Sequence, residues 1–477
     1  MTARKQVILA AHFPGVNNHT VWSDPAAGSQ IAFPSFEHVA RTAERGRFDF
    51  FFLAEGLRLR EQRGRIHDLD VVGRPNTIAI LSAVAAVTTH LGLAGTLSTT
   101  YNEPYDLARQ LASLDHLSGG RAAWNAVTSP DAFTGENFRR GGYLDPALRY
   151  ERAREFVLTV RELWDSWADD AIAGDRGAGR FLADAAAGTF AHPGEQFDIH
   201  GRFAVPASPQ RHPVVLQAGD SDGGREFAAS SADVIFTRHG TFDEGRAFYA
   251  DVKGRLARYG RAPGDLKILP GVSFALGDTP AEAEEAWYAI RRAQVSPATA
   301  ILLLEQVWNR DLSDHDPDGP LPVEDPDVDT ERSIIRGRTR QTDDALATAR
   351  RWREIAAAKK LSIRELIIEV TDRQAFVGTP AHVAAEIDRY VQDEAADGFI
   401  LVPHLIPGGL DAFVDTVVPL LQERGVFRSE YTTSTLRGHL GLGPARPASA
   451  WAAAGAWPLP HRAGSGRSSG QPSGAPA

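Results

Sequence analysis

The sequence contains no cysteine. That excludes disulfides, thiolate catalysis and any zinc or iron–sulfur centre built on sulfur ligands. It has no apolar run near the roughly 20 residues that a membrane-spanning helix needs. The opening MTARKQVILAAHFPG carries too short an apolar stretch for a secretory core and reads as a first strand, so the cytoplasm is the expected location. Net positive charge is absent too. Against 61 Asp and Glu stand 51 Lys and Arg, a balance of −10, which argues against nucleic acid or an anionic membrane as partner. The chain lacks HExxH, acid clusters at metal spacing, GxSxG, GxGxxG and a P-loop. No metal site, serine hydrolase or bound dinucleotide is therefore indicated. What is there, 43% hydrophobic and 23% charged residues over 477 positions, suits a large soluble globular fold.

Apolar runs alternate with helical periodicity along most of the chain. Strands are expected at 5–13, 48–55, 91–99, 121–129, 213–219, 233–240, 266–277 and 398–404. The run FDFFFLAE (48–55) has no polar alternation, as in a parallel strand buried on both faces. Between the strands lie helices, among them one after Ser35, one with Pro104 in its first turn, LRYERAREFVLTVRELWDSW (148–167), one opening at Ser221 and one at Thr279-Pro280. Eight strands each followed by a helix predict a (β/α)8 TIM barrel, an α/β fold, with insertions after strands four, five and seven. A doubly wound open sheet is the alternative. A small strand pair is expected at 197–205. The acidic, Pro-rich SDHDPDGPLPVEDPDVD (313–329) interrupts a helical region, and 297–375 reads as an insertion. The barrel domain is expected to occupy 1–442. From 443 to 477 the chain is Gly, Ala, Pro and Ser, a composition expected to stay disordered.

A barrel of this kind carries its site at the C-terminal ends of the strands. LDHLSGGRAAWNAVTS (114–129) ends a helix, turns at Gly119-Gly120 and stops a strand on Asn125, Thr128 and Ser129. These three side chains either face a ligand or cap backbone ends. Other candidates at the rim are His12, Glu55, Thr96, Ser98, Gln217, His239, Ser273 and His404. His12 is the first choice for proton exchange, with His239 as the second catalytic candidate; a lone histidine is more often structural. The turn QAGDS (217–221) offers a helix N-terminus with Ser221 and Asp222 to a phosphate, or is a plain N-cap. The loop 56–74 brings Arg58, Arg60, Arg63 and Arg65 together. Arg58 and Arg60 either clamp an anionic substrate or pair with Glu61, Asp68 and Asp70.

The stretch GLAGTLSTTYNEPYDLARQLASLDHLSGGRAAWNAVTS (92–129) resembles the nitrilotriacetate monooxygenase component A family, within the bacterial luciferase-like flavin monooxygenases. FDFFFLAEG, LRYERAREF, ELWDSW, QAGDS, KILPG, VGTP, DGFILVP and VVPLLQERGVFRSEYTTSTLRGHLGL fit the same family, so the resemblance spans about 5–442. It implies a barrel enzyme that takes FMNH2 from a separate NAD(P)H-dependent flavin reductase. That reduced flavin activates O2 as a C4a-peroxyflavin and oxygenates a small organic molecule such as an aminopolycarboxylate, sulfone or thioether. It implies FMN contacts at Glu55, Thr96, Asn125, Tyr150, Ser221 and Asp222, and assembly as a homodimer or homotetramer. A deazaflavin (F420) or flavin oxidoreductase, or a flavin-binding protein of the same superfamily, is the alternative. Two departures bear on the flavin. The family often has Asp where Glu55 stands, and His where this chain has Pro146. A peroxyflavin decays in water, so loop 56–74 or the insertion after strand seven is expected to close the site.

Overall fold

The computed structural model describes residues 4–67, 72–129, 132–138, 148–329, 332–336 and 344–454. Eight parallel strands form a closed ring. In order they are Ile8–Phe13, Phe50–Leu53, Gly92–Ser98, Ala122–Val127, Val214–Ala218, Val234–Thr237, Lys267–Leu276 and Gly398–Leu401. Each pairs with its sequence neighbour, and strand eight returns to strand one with Ile8 opposite Gly398. The expected barrel is present, and closure removes the sheet edges that an open sheet would leave.

Alternation decides what each strand residue does. Ile8, Ala10, Phe50, Phe52, Ala94, Ala123, Val214, Leu216, Val234, Leu269 and Ile400 fill the lumen as one cluster. Their odd-numbered or even-numbered neighbours, such as Leu9, Phe51, Leu93 and Leu401, pack outward against the helices. Burying a lumen phenylalanine contributes about 1.5–3 kcal/mol. Leu436 and Leu440 join the lumen cluster from the C-terminal segment. They plug the N-terminal end of the barrel so closely that a Cβ on Gly92 would lie 2.6 Å from Leu436. With that end plugged, the inward positions near the other end, His12, Thr96 and Asn125, become the floor and wall of the mouth.

The stretch 114–129 is largely scaffold. Helix Pro104–Ser118 stops at Gly119, whose φ of 68° is left-handed, a conformation glycine adopts without a Cβ penalty. Asp115 is fully buried and accepts from Ala122 N and from Gln210 N and Nε2. Arg121 donates to Ser118 O, Thr88 Oγ1 and the carbonyls of Leu91, Ala85 and Thr88. Both are buried polar groups satisfied by hydrogen bonds.

Several expectations need correction. No insertion follows strand five, because only Gly219–Ser221 separate Ala218 from helix Asp222–Ser231. The extra residues precede that strand, as two antiparallel hairpins: Ile172–Asp175 with Arg180–Leu182, and Thr189–Pro193 with Asp198–Arg202. The single strand pair expected at 197–205 is therefore the second half of the second hairpin. Ser35 does not cap its helix; the helix runs Phe33–Arg45 with Pro34 in its first turn. Nor does the fold end at 442. Residues 448–454 form a helix against Arg149–Asp165, where the indole of Trp451 meets the guanidiniums of Arg161, Arg261 and Arg446 at 4.0, 5.0 and 4.9 Å. The repeated Ala and Trp of ASAWAAA, unlike the Gly/Ser-rich end, supply apolar surface to bury. The rest of the expected tail, 455–477, lies outside the described residues.

The insertion after strand seven has its own core. Helices Pro297–Trp308, Ala345–Lys359 and Ile363–Val370 pack together, with Trp308 and Trp352 rings 6.2 Å apart. It returns as strand Ala375–Gly378, paired with the outer half of strand seven from Ser273 to Leu276. The VGTP sequence gave no strand signal because the segment has too few residues for its alternation to register.

Candidate active site

The mouth is covered by elements stitched to one another. After strand two, Glu61–Gln62 pairs antiparallel with Ile335–Arg336 of the insertion. Arg63 binds Asp311 at 2.6 Å and approaches buried Glu305 at 3.5 Å. Phe133, in the loop after strand four, lies under two guanidiniums, Arg58 at 3.6 Å and Arg336 at 4.5 Å. Both also bind the carboxylate of Glu136, each at 2.6 Å. Arg58 further approaches Glu61 at 3.6 Å. The structure thus gives Arg58 to a cover made of three loops and not to a free anion clamp. Arg60 lines the cavity instead, with Arg74. Asp68 and Asp70, considered as arginine partners, lie outside the described residues, as does Pro146.

Beneath this cover a cavity of about 160 Å³ is lined by Glu55, Arg60, Arg74, Thr96, Val127 and Ser129, among others. Asn125 Nδ2 donates to Thr96 Oγ1 at 2.9 Å across strands three and four. Asn125 Oδ1 is buried with no hydrogen-bond partner. An orphaned buried acceptor is costly unless a ligand or water donates to it. Ser98 Oγ and Ser129 Oγ are 3.0 Å apart, and Ser129 N donates to Thr100 Oγ1. Ser129 thus closes backbone ends, whereas Asn125 faces inward.

Glu55 is the carboxylic acid among the residues lining this cavity. Its carboxyl is pushed up to about 7 by burial, opposed only by the N–H of Ser98, which donates to Oε2 at 3.0 Å. The signal was in the sequence: an acid at the end of FDFFFLA must fold against aromatic surface. His12 behaves otherwise. Its Nδ1 donates to Phe52 O at 3.1 Å, which leaves Nε2 as an acceptor. Burial, together with the cations of Arg74 and Arg238, lowers its pKa to about 3. A ring held neutral in this way speaks against proton exchange by His12 near neutrality and leaves Nε2 able to accept a hydrogen bond. His239 is held away from His12, packing on Phe248 with ring centroids 4.8 Å apart. Burial lowers its pKa, with Asp220, Glu244 and Arg225 as its charged neighbours. It lies two positions past Thr237, where strand six ends. Gln217 is turned outward by alternation, between Leu216 in the lumen and Ala218.

The turn after strand five is built as a cap. Ser221 Oγ accepts from Gly224 N at 3.1 Å and lies 3.2 Å from Tyr150 Oη. Gly223 faces the Tyr150 ring, where a Cβ would sit 3.4 Å from it. Thr237 Oγ1 donates to Asp220 Oδ1 at 2.6 Å and fixes the turn to strand six. Two hydroxyls at a helix N-terminus, with free backbone N–H groups behind them, suit a phosphate. Asp222 is not part of this arrangement. Its carboxylate is exposed and pairs with Arg255 at 2.7 Å. Arg74, absent from the expected site, donates Nε and Nη2 to Pro14 O at 3.1 and 2.9 Å. Sequence reasoning missed it because it lies at the far end of loop 56–74, distant from the strand ends.

Comparison with known proteins agrees with this geometry. The family model described as luciferase-like monooxygenase matches residues 16–397. Nitrilotriacetate monooxygenase component A of Aminobacter aminovorans is 40% identical over 463 residues, covering 94% of this chain and 98% of that protein. Dibenzothiophene-sulfone monooxygenase of Rhodococcus erythropolis is 36% identical, covering 93% and 98%. A solved riboflavin lyase with modified FMN superposes with a TM-score of 0.74 at 27% identity, covering 94% of this chain and 99% of that one. With a closed eight-strand barrel, a polar mouth and similarity along nearly its whole length, the chain belongs to the luciferase-like monooxygenase family.

Proposed function

We propose that this protein is the oxygenase of a two-component system, taking FMNH2 from a separate NAD(P)H-dependent flavin reductase and oxygenating a small organic substrate with O2. The observation that carries the flavin is the Tyr150–Ser221 hydroxyl pair at the start of helix Asp222–Ser231. It offers donors to a phosphate on the same rim as the orphaned acceptor of Asn125. FMN fits these residues. Tyr150 and Ser221 would hold its phosphate, and Glu55, Thr96 and Asn125 its ring system. Reduced flavin, when bound, supplies the activation of oxygen.

The chain's own groups supply position, dryness and proton control. The Arg58–Phe133–Arg336 cover excludes water from the mouth. Asn125 Oδ1 accepts a hydrogen bond from the ligand, and His12 Nε2 accepts another. Glu55, with its carboxyl raised to about 7, holds or releases a proton near neutral pH. No helix among the described residues is long and apolar enough to cross a membrane, and no group of His, Asp or Glu among them is placed to hold a metal ion. We place the enzyme in the cytoplasm, where reductase and NAD(P)H are at hand.

Oxygen consumption with FMN, NADH and any flavin reductase tests the reading. The expected result is negligible NADH oxidation by this chain alone, and substrate-dependent oxygen uptake without matching peroxide release once the reductase is added. Rapid NADH oxidation without a reductase would overturn the two-component assignment.

A further inference from the structure

At the end of the barrel opposite the mouth, a second cavity of about 120 Å³ lies under the C-terminal segment. Arg161 reaches it from helix Arg149–Asp165, Arg261 from the turn before strand seven, and Arg437 and Arg446 from the segment itself. Asp233, the residue before strand six, and Asp265 are the carboxylates in its wall. Four guanidiniums thus face two carboxylates, and neither acid is idle. Asp265 Oδ2 accepts from Ala262 N at 2.9 Å. Asp233 Oδ2 accepts from Val215 N at 2.9 Å and pairs with Arg437 at 3.2 Å. The planar guanidinium is a fork of N–H donors, and much of that capacity is unspent. Arg161 is 3% exposed, yet among the described residues it makes one hydrogen bond, from Nη2 to Ser231 O at 2.6 Å. Arg437 donates its side chain from Nη2 alone, to Asp233 and to His212 O at 3.3 Å. Arg261 spends both Nη atoms on backbone carbonyls. The Nε of all three is buried without a partner. The ring of Trp451 covers Arg161 at 4.0 Å, but stacking uses the face of a guanidinium and leaves its N–H edge.

We propose that this cavity is a binding site for one inorganic tetrahedral oxyanion, sulfate or hydrogen phosphate, held by Arg161, Arg437 and Arg446. The site is independent of the flavin reading, because its arginines gather at the opposite end of the barrel. A cavity of this size has room for about four waters, and so for a single small oxyanion. A dianion matches the excess of guanidiniums over carboxylates, and its oxygens accept from donors that arrive from a helix and from the C-terminal segment. Buried cations without enough counter-charge are costly. Arg161 registers that cost: burial first, with Arg261 and Arg437 beside it, outweighs the attraction of Asp233 and lowers its pKa to about 9. An oxyanion relieves the excess charge and ties helix Arg149–Asp165 to the segment 437–446. Its role there is to hold the C-terminal segment on the barrel. A ligand bound by the folded chain alone stabilises it according to the ratio of its concentration to its dissociation constant.

The test uses the full chain saturated with FMN, so that the phosphate site at Ser221 is filled. Sulfate, phosphate and chloride are titrated separately while thermal melting is followed. Sulfate, phosphate or both should raise the melting temperature saturably in the millimolar range, by about 3 °C or more, and chloride should not. The tighter of the two identifies the anion. In Arg161→Gln the half-saturating concentration should rise about tenfold or more, as for loss of a hydrogen bond to a charged group. Arg446→Gln, at the half-buried edge of the cavity, serves as the second variant should Arg161→Gln fail to fold, and it too should weaken the anion. Exclusion of sulfate from protein surfaces also raises melting temperatures, but without saturation and equally in the variants. Crystals soaked in selenate or arsenate, the heavier analogues, should show an anomalous peak inside the cavity. A rise that does not saturate, a chloride response equal to those of the oxyanions, undiminished affinity in the folded variants, or no peak in the cavity from either analogue would each overturn the proposal.

Discussion

The backbone N–H of Ser98 donates to Oε2 of Glu55 at 3.0 Å, and among the described residues it is the one hydrogen bond that the carboxyl receives. One neutral donor does not offset burial, so the carboxyl is raised from 4.5 to about 7. Below pH 4.5 the group is protonated folded and unfolded, and it contributes nothing to the pH dependence. Between 4.5 and 7 the unfolded chain ionises first, so stability falls as pH rises, by about 3 kcal/mol at most. Glu55→Gln should therefore be more stable than the parent by about 1–3 kcal/mol at pH 8 and equal to it at pH 4.5. Paired thermal melts at the two pH values check this. An inflection of turnover near pH 7 should vanish in the variant.

His12 offers the opposite expectation. With its pKa lowered to about 3, its ring signals should not titrate between pH 5 and 8 in an NMR experiment. His12→Asn keeps a hydrogen-bonding side chain and should lower product yield without moving the pH profile. A proton exchanger would shift the profile as well as the yield. A His12 resonance titrating near pH 6.5 would restore the catalytic acid–base role.

Ser221 joins a cap and a ligand site in one hydroxyl. Ser221→Ala should lower FMN affinity by about 1–3 kcal/mol through loss of a donor to a charged group. Riboflavin, which lacks the phosphate, should bind the variant nearly as well as the parent. Equal losses for the two flavins, measured by fluorescence titration, would leave Ser221 as a helix cap alone.

The barrel was legible because its eight apolar runs are separated by amphipathic helices, a pattern that survives without any knowledge of contacts. The rim was legible as a set of strand ends. Its division into inward and outward side chains was not, because that depends on where alternation starts in each strand. Leu216 and Gln217 are neighbours in sequence, and only the register that puts Val214 and Leu216 in the lumen shows that the glutamine faces outward. Arg58 shows a second limit. A loop of arginines reads as an anion clamp until the acids from distant segments are found, and Glu136 lies 78 residues away. The stretch 114–129 drew attention for its polar end, yet Asp115, Arg121 and Trp124 serve the scaffold, while Ala123 and Asn125 turn into the lumen.

The Arg58–Phe133–Arg336 stack joins three loops over the mouth. Phe133→Ala removes the surface that both guanidiniums cover, each contact contributing about 0.5–2 kcal/mol. The barrel core is untouched, so melting temperature should change little. Water should enter more freely, and the ratio of peroxide to product should rise severalfold. An unchanged ratio would mean that closure rests instead on Gln62 Nε2, which donates to Glu305 Oε2, and on the Arg63–Asp311 pair.

The C-terminal segment separates into two parts with different expected costs. Trp451 is 9% exposed and meets three arginines, two of which, Arg161 and Arg261, are buried with their pKa values lowered by desolvation to about 9 and about 10. Ala448 N donates to Asp165 Oδ2, which anchors the helix start. Removing residues 443–477 uncovers these cations and the apolar surface beside them, and should lower the melting temperature by about 3 °C or more, as expected for the loss of a few kcal/mol. Residues 455–477 have a Gly/Ser/Pro composition that cannot bury comparable surface, so deleting them alone should leave the melt unchanged. Trp451→Ala in the full chain should reproduce most of the larger loss. Two truncations and one substitution, melted side by side, decide whether the fold ends at 442 or at 454; equal melting temperatures for both truncations would return the boundary to 442.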